Sequence, residues 1–311
     1  MPKKMYANDI ITFFELNVIN KEVQLNNLEI LSPAIKRAGL ELAEEIGSVR
    51  LQFNIIAWGT SESKWFELVG LERTKRALNH VFSFQPPLVI LSKGVSQENV
   101  KLIKEIGSKY KIPIVHSDYL SSSYLTTSIG TYLNNHFAKI VQVHGCLMMI
   151  GGTGVLIVGP SGSGKSEAAL ELIQKGHIFI SDDAVLIKDL GNRFVGTSPH
   201  ITKDFLEIRG VGLIDIKYTY GVKSVASSTP IHLVVELVKK EEQNKLDRLG
   251  LDFLKYPIMG RSIKKIQIPT KEGGSVSSLI EAAVSAYLAR HDGLNAIEKI
   301  EKRRLEDEWF N

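Results

Sequence analysis

Apolar positions along this chain fall into short runs that alternate with helical stripes, the pattern of an α/β protein. Up to residue 132, strand-like runs occur at Asn17-Val18-Ile19, Leu51-Gln52-Phe53-Asn54-Ile55-Ile56, Pro87-Leu88-Val89-Ile90-Leu91 and Ile112-Pro113-Ile114-Val115. Between the last two, the spacing of Val100, Leu102, Ile103 and Ile106 predicts a helix over residues 100–110, hence a βαβ unit. The Ser/Thr-rich residues 117–128 read as a turn or surface segment, and residues 126–139 as a helix leading into the second half. This predicts an N-terminal α/β domain over residues 1–132 and a second domain over 133–311.

The second half opens on Ile140-Val141-Gln142-Val143, then His144-Gly145, then a long apolar approach to Val155-Leu156-Ile157-Val158. Gly151-Gly152-Thr153-Gly154 reads as a hairpin turn, so His144 is expected on the strand just before the 155–158 strand. That second strand runs into Gly159-Pro160-Ser161-Gly162-Ser163-Gly164-Lys165-Ser166, which is G-x-x-x-x-G-K-S. The glycines permit backbone angles and close approaches that side chains obstruct. Successive N–H groups then form an anion nest capped by the next helix's positive end. Lys165 would reach the β- and γ-phosphates, and the Ser166 hydroxyl would hold Mg²⁺. A helix over residues 167–175, with Ala168, Ala169, Leu172 and Ile173 on one face and Gly176 at its end, completes strand, loop and helix. That context distinguishes a nucleotide loop from an ordinary serine-glycine turn.

Further on, Ile178-Phe179-Ile180 ends in Ser181-Asp182-Asp183, and carboxylates at the end of a buried strand suit metal binding or nucleophile activation. Leu206-Glu207-Ile208-Arg209-Gly210-Val211-Gly212-Leu213-Ile214-Asp215 reads on its own as a strand-turn edge with Glu207 and Arg209 on one face. Residues 231–238 predict a strand, and residues 241–248 a polar loop or helix. Pro269-Thr270-Lys271-Glu272-Gly273-Gly274 opens a final amphipathic helix whose expected apolar stripe is Val276, Leu279, Ile280, Ala283, Val284, Tyr287 and Leu288. The charged tail, residues 296–310, reads as a solvated helix, and His144 on its own as a core histidine.

Composition narrows the class. With 44% apolar and 23% charged residues the chain is that of a soluble globular protein. A net charge of +4, from 38 basic and 34 acidic residues without like-charge blocks, argues against nucleic acid as a partner. The single cysteine, Cys146, excludes an internal disulfide and fits a reducing compartment. The N-terminal residues carry no signal-peptide core, and the longest apolar region is too short and glycine-broken to span a membrane, so a cytoplasmic protein is expected. No histidine pair has a metal-ligand spacing.

Taken together, these motifs resemble the bacterial HPr kinase/phosphorylase family. The resemblance rests on His144-Gly145, the loop from Gly159 to Glu167, Ala169-Leu170-Glu171-Leu172, Ser181-Asp182-Asp183, Leu206 to Ile214, and Arg248-Leu249-Gly250-Leu251-Asp252. It reaches the first half through Ser32-Pro33 and Arg37-Ala38-Gly39-Leu40-Glu41-Leu42, with Ala38 where the family has proline. It implies a homohexameric enzyme that uses ATP and Mg²⁺ to phosphorylate a serine of the phosphocarrier HPr, and that reverses the reaction with inorganic phosphate, releasing pyrophosphate. Carbon-source regulation and metabolite control follow from the same resemblance. Residue by residue, it implies that Lys165 and the loop bind the phosphates, that Ser166 and Glu207 hold Mg²⁺, and that Asp183 accepts the serine proton. It also implies active-site roles for His144 and Arg248, and importance of Leu206 to Asp215 in both directions. Burial beside Asp182 is expected to raise the basicity of Asp183.

One departure stands out. The family's dephosphorylation loop typically reads PVRPGR, whereas this chain has Pro269 to Gly274 with Lys271 and Gly274 in the arginine positions. Lysine lacks the two-pronged fork that arginine offers phosphate, so a weakened or differently regulated return reaction is expected. Other readings are a phosphate-loop kinase of a small metabolite and a nucleotide-gated regulator. The regulator would need a basic recognition helix, which residues 1–130 do not offer.

Overall fold

The computed structural model describes residues 4–45, 49–238, 253–270, 275–293 and 296–308. Contacts divide the chain after Ala138 into two compact units, so the helix Ser122–Phe137 falls wholly in the first.

In the first unit five strands form a sheet in the order Asn17–Val18, Ile114–His116, Val89–Leu91, Ile55–Trp58, Ile35–Lys36. The last four are parallel and the first is antiparallel to its neighbour. Strand alternation sends Ile56, Trp58, Val89, Leu91 and Ile114 to one face, where helices Thr60–Val69, Leu71–Ser83 and Gln97–Lys109 cover them. Ile55, Ile90 and Val115 face helices Ala7–Phe13 and Ser122–Phe137 on the other side. The unit is thus a three-layer α/β sandwich.

Two local expectations change. Residues 49–53 form a 3₁₀ turn rather than a strand, closed by Asn54 Nδ2 donating to the Arg50 carbonyl at 2.6 Å. Leu51 is still fully buried, because a turn can aim a side chain inward as well as a strand can. The serines at 121–123 start a helix rather than a turn: Ser121 Oγ accepts from Tyr124 N at 3.2 Å and caps it.

The second unit stacks helices, a six-stranded sheet and a four-stranded sheet. The larger sheet runs Ile178–Ser181, Cys146–Ile150, Thr153–Val158, Leu233–Val238, Arg261–Pro269, Leu254–Ile258. Its three central strands, Thr153–Val158, Leu233–Val238 and Arg261–Pro269, are mutually parallel. One face, with Val155, Ile157, Val235 and Leu237, packs on helices Lys165–Gln174 and Val276–His291. The other, with Leu147, Leu156, Ile180 and Val234, packs on Val185, Ile187 and Phe194 of the smaller antiparallel sheet. The smaller sheet runs Ser228–Pro230, Phe194–Thr197, Ala184–Asp189, Ile140–His144.

This topology corrects the place of His144. The chain leaves the smaller sheet at His144, turns at Gly145, and enters the larger sheet as Cys146–Ile150. The strand before Thr153–Val158 is therefore Cys146–Ile150, reached through the two-residue Gly151-Gly152 turn, and His144 lies one strand earlier.

Candidate active site

Two corners and a loop build the site. Where one strand crosses from the smaller to the larger sheet at residues 144–146, another crosses back at 181–184 beside it. His144 is paired with Ala184 in one sheet, and Leu147 with Ser181 in the other. Gly145 N donates to the Asp183 carbonyl at 3.1 Å and ties the corners together. Asp183 itself adopts a left-handed φ of 63°, uncommon for a residue with a side chain. The tight corner, with Ala184 N donating to the Asp182 carbonyl at 2.7 Å, holds it there.

The corner separates the two aspartates. Asp183 is 78% exposed, and its Oδ1 and main-chain carbonyl both lie 3.0 Å from His144 Nδ1. A carbonyl and an ionised carboxylate only accept, so Nδ1 carries the ring proton and donates to them. Asp182 is buried instead: Oδ2 accepts from Ser166 Oγ at 2.7 Å, while Oδ1 has no hydrogen-bond partner. Burial raises its pKa above the usual carboxylate range, against the lowering by the Ser166 and main-chain hydrogen bonds, with the charge of Asp183 adding to the rise. The burial expected for Asp183 thus falls on its neighbour. Cys146, fully buried near Asp182, is pushed well up for the same first reason and is no thiolate.

The loop at residues 159–166 follows the central strand Thr153–Val158 into helix Lys165–Gln174. Gly159 has a φ of 152°, and a Cβ there would stand 2.8 Å from the Leu237 carbonyl. Gly162 and Gly164 have φ of 74° and 86°, so the loop's glycines meet a backbone demand. Lys165, only 7% exposed, donates through Nζ to the Gly159 and Pro160 carbonyls at 3.1 Å each.

A hairpin supplies a further part of the lining. Strands Phe205–Ile208 and Gly212–Asp215 pair, and Leu206 and Ile208 pack into the core around the loop helix. Glu207 and Arg209 face outward into an open cleft of about 150 Å³ with His144, Lys165, Ser166 and Asp183. Ser161, Gly162, Gly164, Glu167 and Asp182 complete its lining. Glu167 was not given a site role from the sequence, and Asp182 was marked only as one of a pair of strand-end carboxylates, without a role of its own. The signal for Asp182 was its place beside Asp183 at a strand end.

Other expected residues lie elsewhere. Leu206, Ile208 and Ile214 support the core, Val211 and Leu213 are exposed, and Asp215 caps the helix Ile216–Tyr220 by accepting from Tyr218 N at 2.8 Å. Pro269 ends its strand, and Thr270 N donates to the Val238 carbonyl at 2.9 Å. Arg248 and residues Lys271, Glu272, Gly273 and Gly274 lie outside the described residues.

Residues 5–133 match the sequence model described as HPr Serine kinase N terminus, and residues 135–304 match that of the HPr Serine kinase C-terminal domain. The chain is 46% identical to the HPr kinase/phosphorylase of Mycoplasmopsis pulmonis, covering 99% of this chain and 100% of that one. It is 34% identical to the protein of the same name from Mycoplasma pneumoniae, over 97% of this chain and 96% of that one. A solved structure, the Hpr(Ser) kinase/phosphatase from Coxiella burnetii, is 32% identical with a TM-score of 0.47, covering 49% of this chain and 93% of that chain.

Proposed function

Because the chain belongs to the HPr serine kinase family, we infer that it moves the γ-phosphoryl group of ATP onto a serine of HPr and, in return, passes it from phosphoseryl-HPr to inorganic phosphate, giving pyrophosphate. The observation that carries this reading is a nucleotide loop and a solvent-facing carboxylate, Asp183, meeting in one open cleft. A serine borne on a protein surface needs such an open mouth, whereas a small metabolite would be enclosed.

In this reading the loop amides and Lys165 bind and orient the ATP phosphates. The cleft offers hard oxygen donors from Ser166, Glu207 and Asp182, and Asp182 Oδ1 is a buried acceptor without a partner. That set fits Mg²⁺. Ser166 and Glu207 would hold the ion, with Asp182 orienting the Ser166 hydroxyl. Bound there, Mg²⁺ would offset charge on the phosphate oxygens.

Asp183 takes the proton of the incoming serine hydroxyl as its oxygen bonds to the γ-phosphorus and the bond to ADP breaks. In the return direction a phosphate oxygen attacks phosphoserine, and protonated Asp183 gives its proton to the leaving serine oxygen. His144, donating to both oxygens of Asp183 that face it, fixes the carboxylate's direction. Arg248 adds positive charge as the resemblance implies. The same reading makes the enzyme cytoplasmic and homo-oligomeric, with six subunits; among the described residues no helix is long and apolar enough to cross a membrane.

Incubating the protein with HPr, ATP and Mg²⁺ and mapping the modified residue tests the reading. Phosphoserine is expected; its absence would overturn the assignment of the acceptor.

A further inference from the structure

Among the described residues, one cation of the cleft stands without a partner. Six charged side chains line it: Lys165 and Arg209 against Glu167, Asp182, Asp183 and Glu207. Lys165 is engaged by the two loop carbonyls, His144 is directed at Asp183, and Asp182 holds Ser166. Arg209 has no hydrogen bond and no ion pair among the described residues, although Glu207, two positions away, lines the same cleft.

Its backbone is nonetheless well placed. Leu206 and Ile208, at 0% and 7% exposure, root the ribbon in the core around the phosphate-loop helix. Gly210 and Gly212, with φ of 83° and 101°, make the tight return beyond Arg209. The guanidinium is therefore carried at the turn of an anchored ribbon that lines the same cleft as the phosphate loop.

Resting on the kinase reading, we propose that Arg209 binds the phosphoryl group itself. Its ligand is the γ-phosphoryl group of ATP in one direction, and phosphoserine or inorganic phosphate in the other. The electrostatics require such a group. A phosphoryl group in flight spreads negative charge over three equatorial oxygens while it approaches the carboxylate of Asp183. Lys165 serves the nucleotide side, and among the described residues Arg209 is the other Lys or Arg side chain lining the cleft. The planar guanidinium fork matches two phosphate oxygens at once, which an ammonium does not.

Arg209→Ala and Arg209→Lys, assayed in the full chain, test this. Turnover to HPr should fall about 10²- to 10³-fold in Arg209→Ala, the usual loss for one preorganised donor. Added guanidinium should restore at least part of it, and Arg209→Lys should recover little. Calorimetric titration with inorganic phosphate provides a readout independent of HPr, and Arg209→Ala should weaken that binding about tenfold or more, about 1.4 kcal/mol. If wild type phosphorylates HPr and Arg209→Ala does so at the same rate, or if its loss ignores guanidinium while Arg209→Lys is fully active, the proposal is wrong. If wild type leaves HPr unmodified yet loses phosphate binding on Arg209→Ala, the acceptor assignment fails and Arg209 stands.

Discussion

Replacing Gly145 by alanine should damage this enzyme more than a single methyl group suggests. A Cβ built at Gly145 lies 2.7 Å from the Ile157 carbonyl oxygen, where ordinary contact begins at 3.4 Å, so something must give by about 0.7 Å. Ile157 cannot move alone: its strand is paired with Cys146–Ile150 on one side and Leu233–Val238 on the other. The corner must yield instead, and with it His144 and the 3.1 Å bond from Gly145 N to the Asp183 carbonyl. Overpacking of this kind costs about 1–3 kcal/mol. At roughly 2–4 °C per kcal/mol for a unit of this size, the second unit should melt about 2–12 °C lower. Misplacing reacting groups by about 1 Å costs roughly 10²-fold in rate, so a shift of this size should cut phosphoryl transfer about tenfold or more. Circular dichroism melts and initial rates of HPr phosphorylation measure the two effects. Gly130→Ala is the contrast: it lies within helix Ser122–Phe137, its Cβ would meet only Ile35 Cδ1 at 3.9 Å, and it should stabilise by about 0.5–1 kcal/mol. A Gly145→Ala protein that melts and turns over like wild type would refute the argument that the corner is full.

Other substitutions probe other parts of the design. Asp183→Asn should keep nucleotide binding and lower turnover roughly 10²- to 10⁴-fold, and near-normal turnover would remove it as the base. Glu281 is held below the usual carboxylate range first by the Lys175 hydrogen bond and then by that from His177. Its contribution is therefore present above the unfolded carboxylate value and lost as pH falls through the folded one. Because Glu281 is about one-third exposed, Glu281→Gln should cost only about 0.5–1 kcal/mol at neutral pH. Urea titrations should show that difference shrinking in acid; a gap that persists below the carboxylate range would contradict it. For the altered loop, pyrophosphate release from phosphorylated HPr should be slow and should fall further in Lys271→Ala. Fast release unchanged by that substitution would end the loop argument.

How much of this was readable from the chain depends on the distance over which each feature is determined. The phosphate loop is local: Gly159, Gly162 and Gly164 are required by their own backbone angles, so the motif and the geometry coincide. The βαβ unit was readable for the same reason, since Gln97–Lys109 carries its own stripe and its own Ser96 cap. The assignment of strands to sheets was not. Residues 140–144 and 146–150 both look like strand, and periodicity alone does not say that Gly145 sends them into different sheets. A faint signal existed in composition. Ile140–His144 includes Gln142 and His144 and is not fully buried at any position, whereas Cys146–Ile150 is continuously apolar, as a strand covered on both faces must be.

The two aspartates make the same point at the level of chemistry. Asp182 and Asp183 are identical neighbours, and like-charge repulsion between them is symmetric, so sequence reasoning could not say which would be buried. The asymmetry comes from the sheet crossing: the left-handed turn at Asp183 leaves that carboxylate 78% exposed beside His144 and puts Asp182 behind Ser166. One aspartate is therefore available to a serine carried on another protein, while the other supports the hydroxyl that would hold Mg²⁺. In the proposed function, a division of labour between base and metal support would follow from one backbone turn, tied by the Gly145 N to Asp183 carbonyl bond to a neighbouring corner where an added Cβ would clash. Site and fold are coupled through that contact, and Gly145 belongs to the chemistry although it has no side chain to contribute.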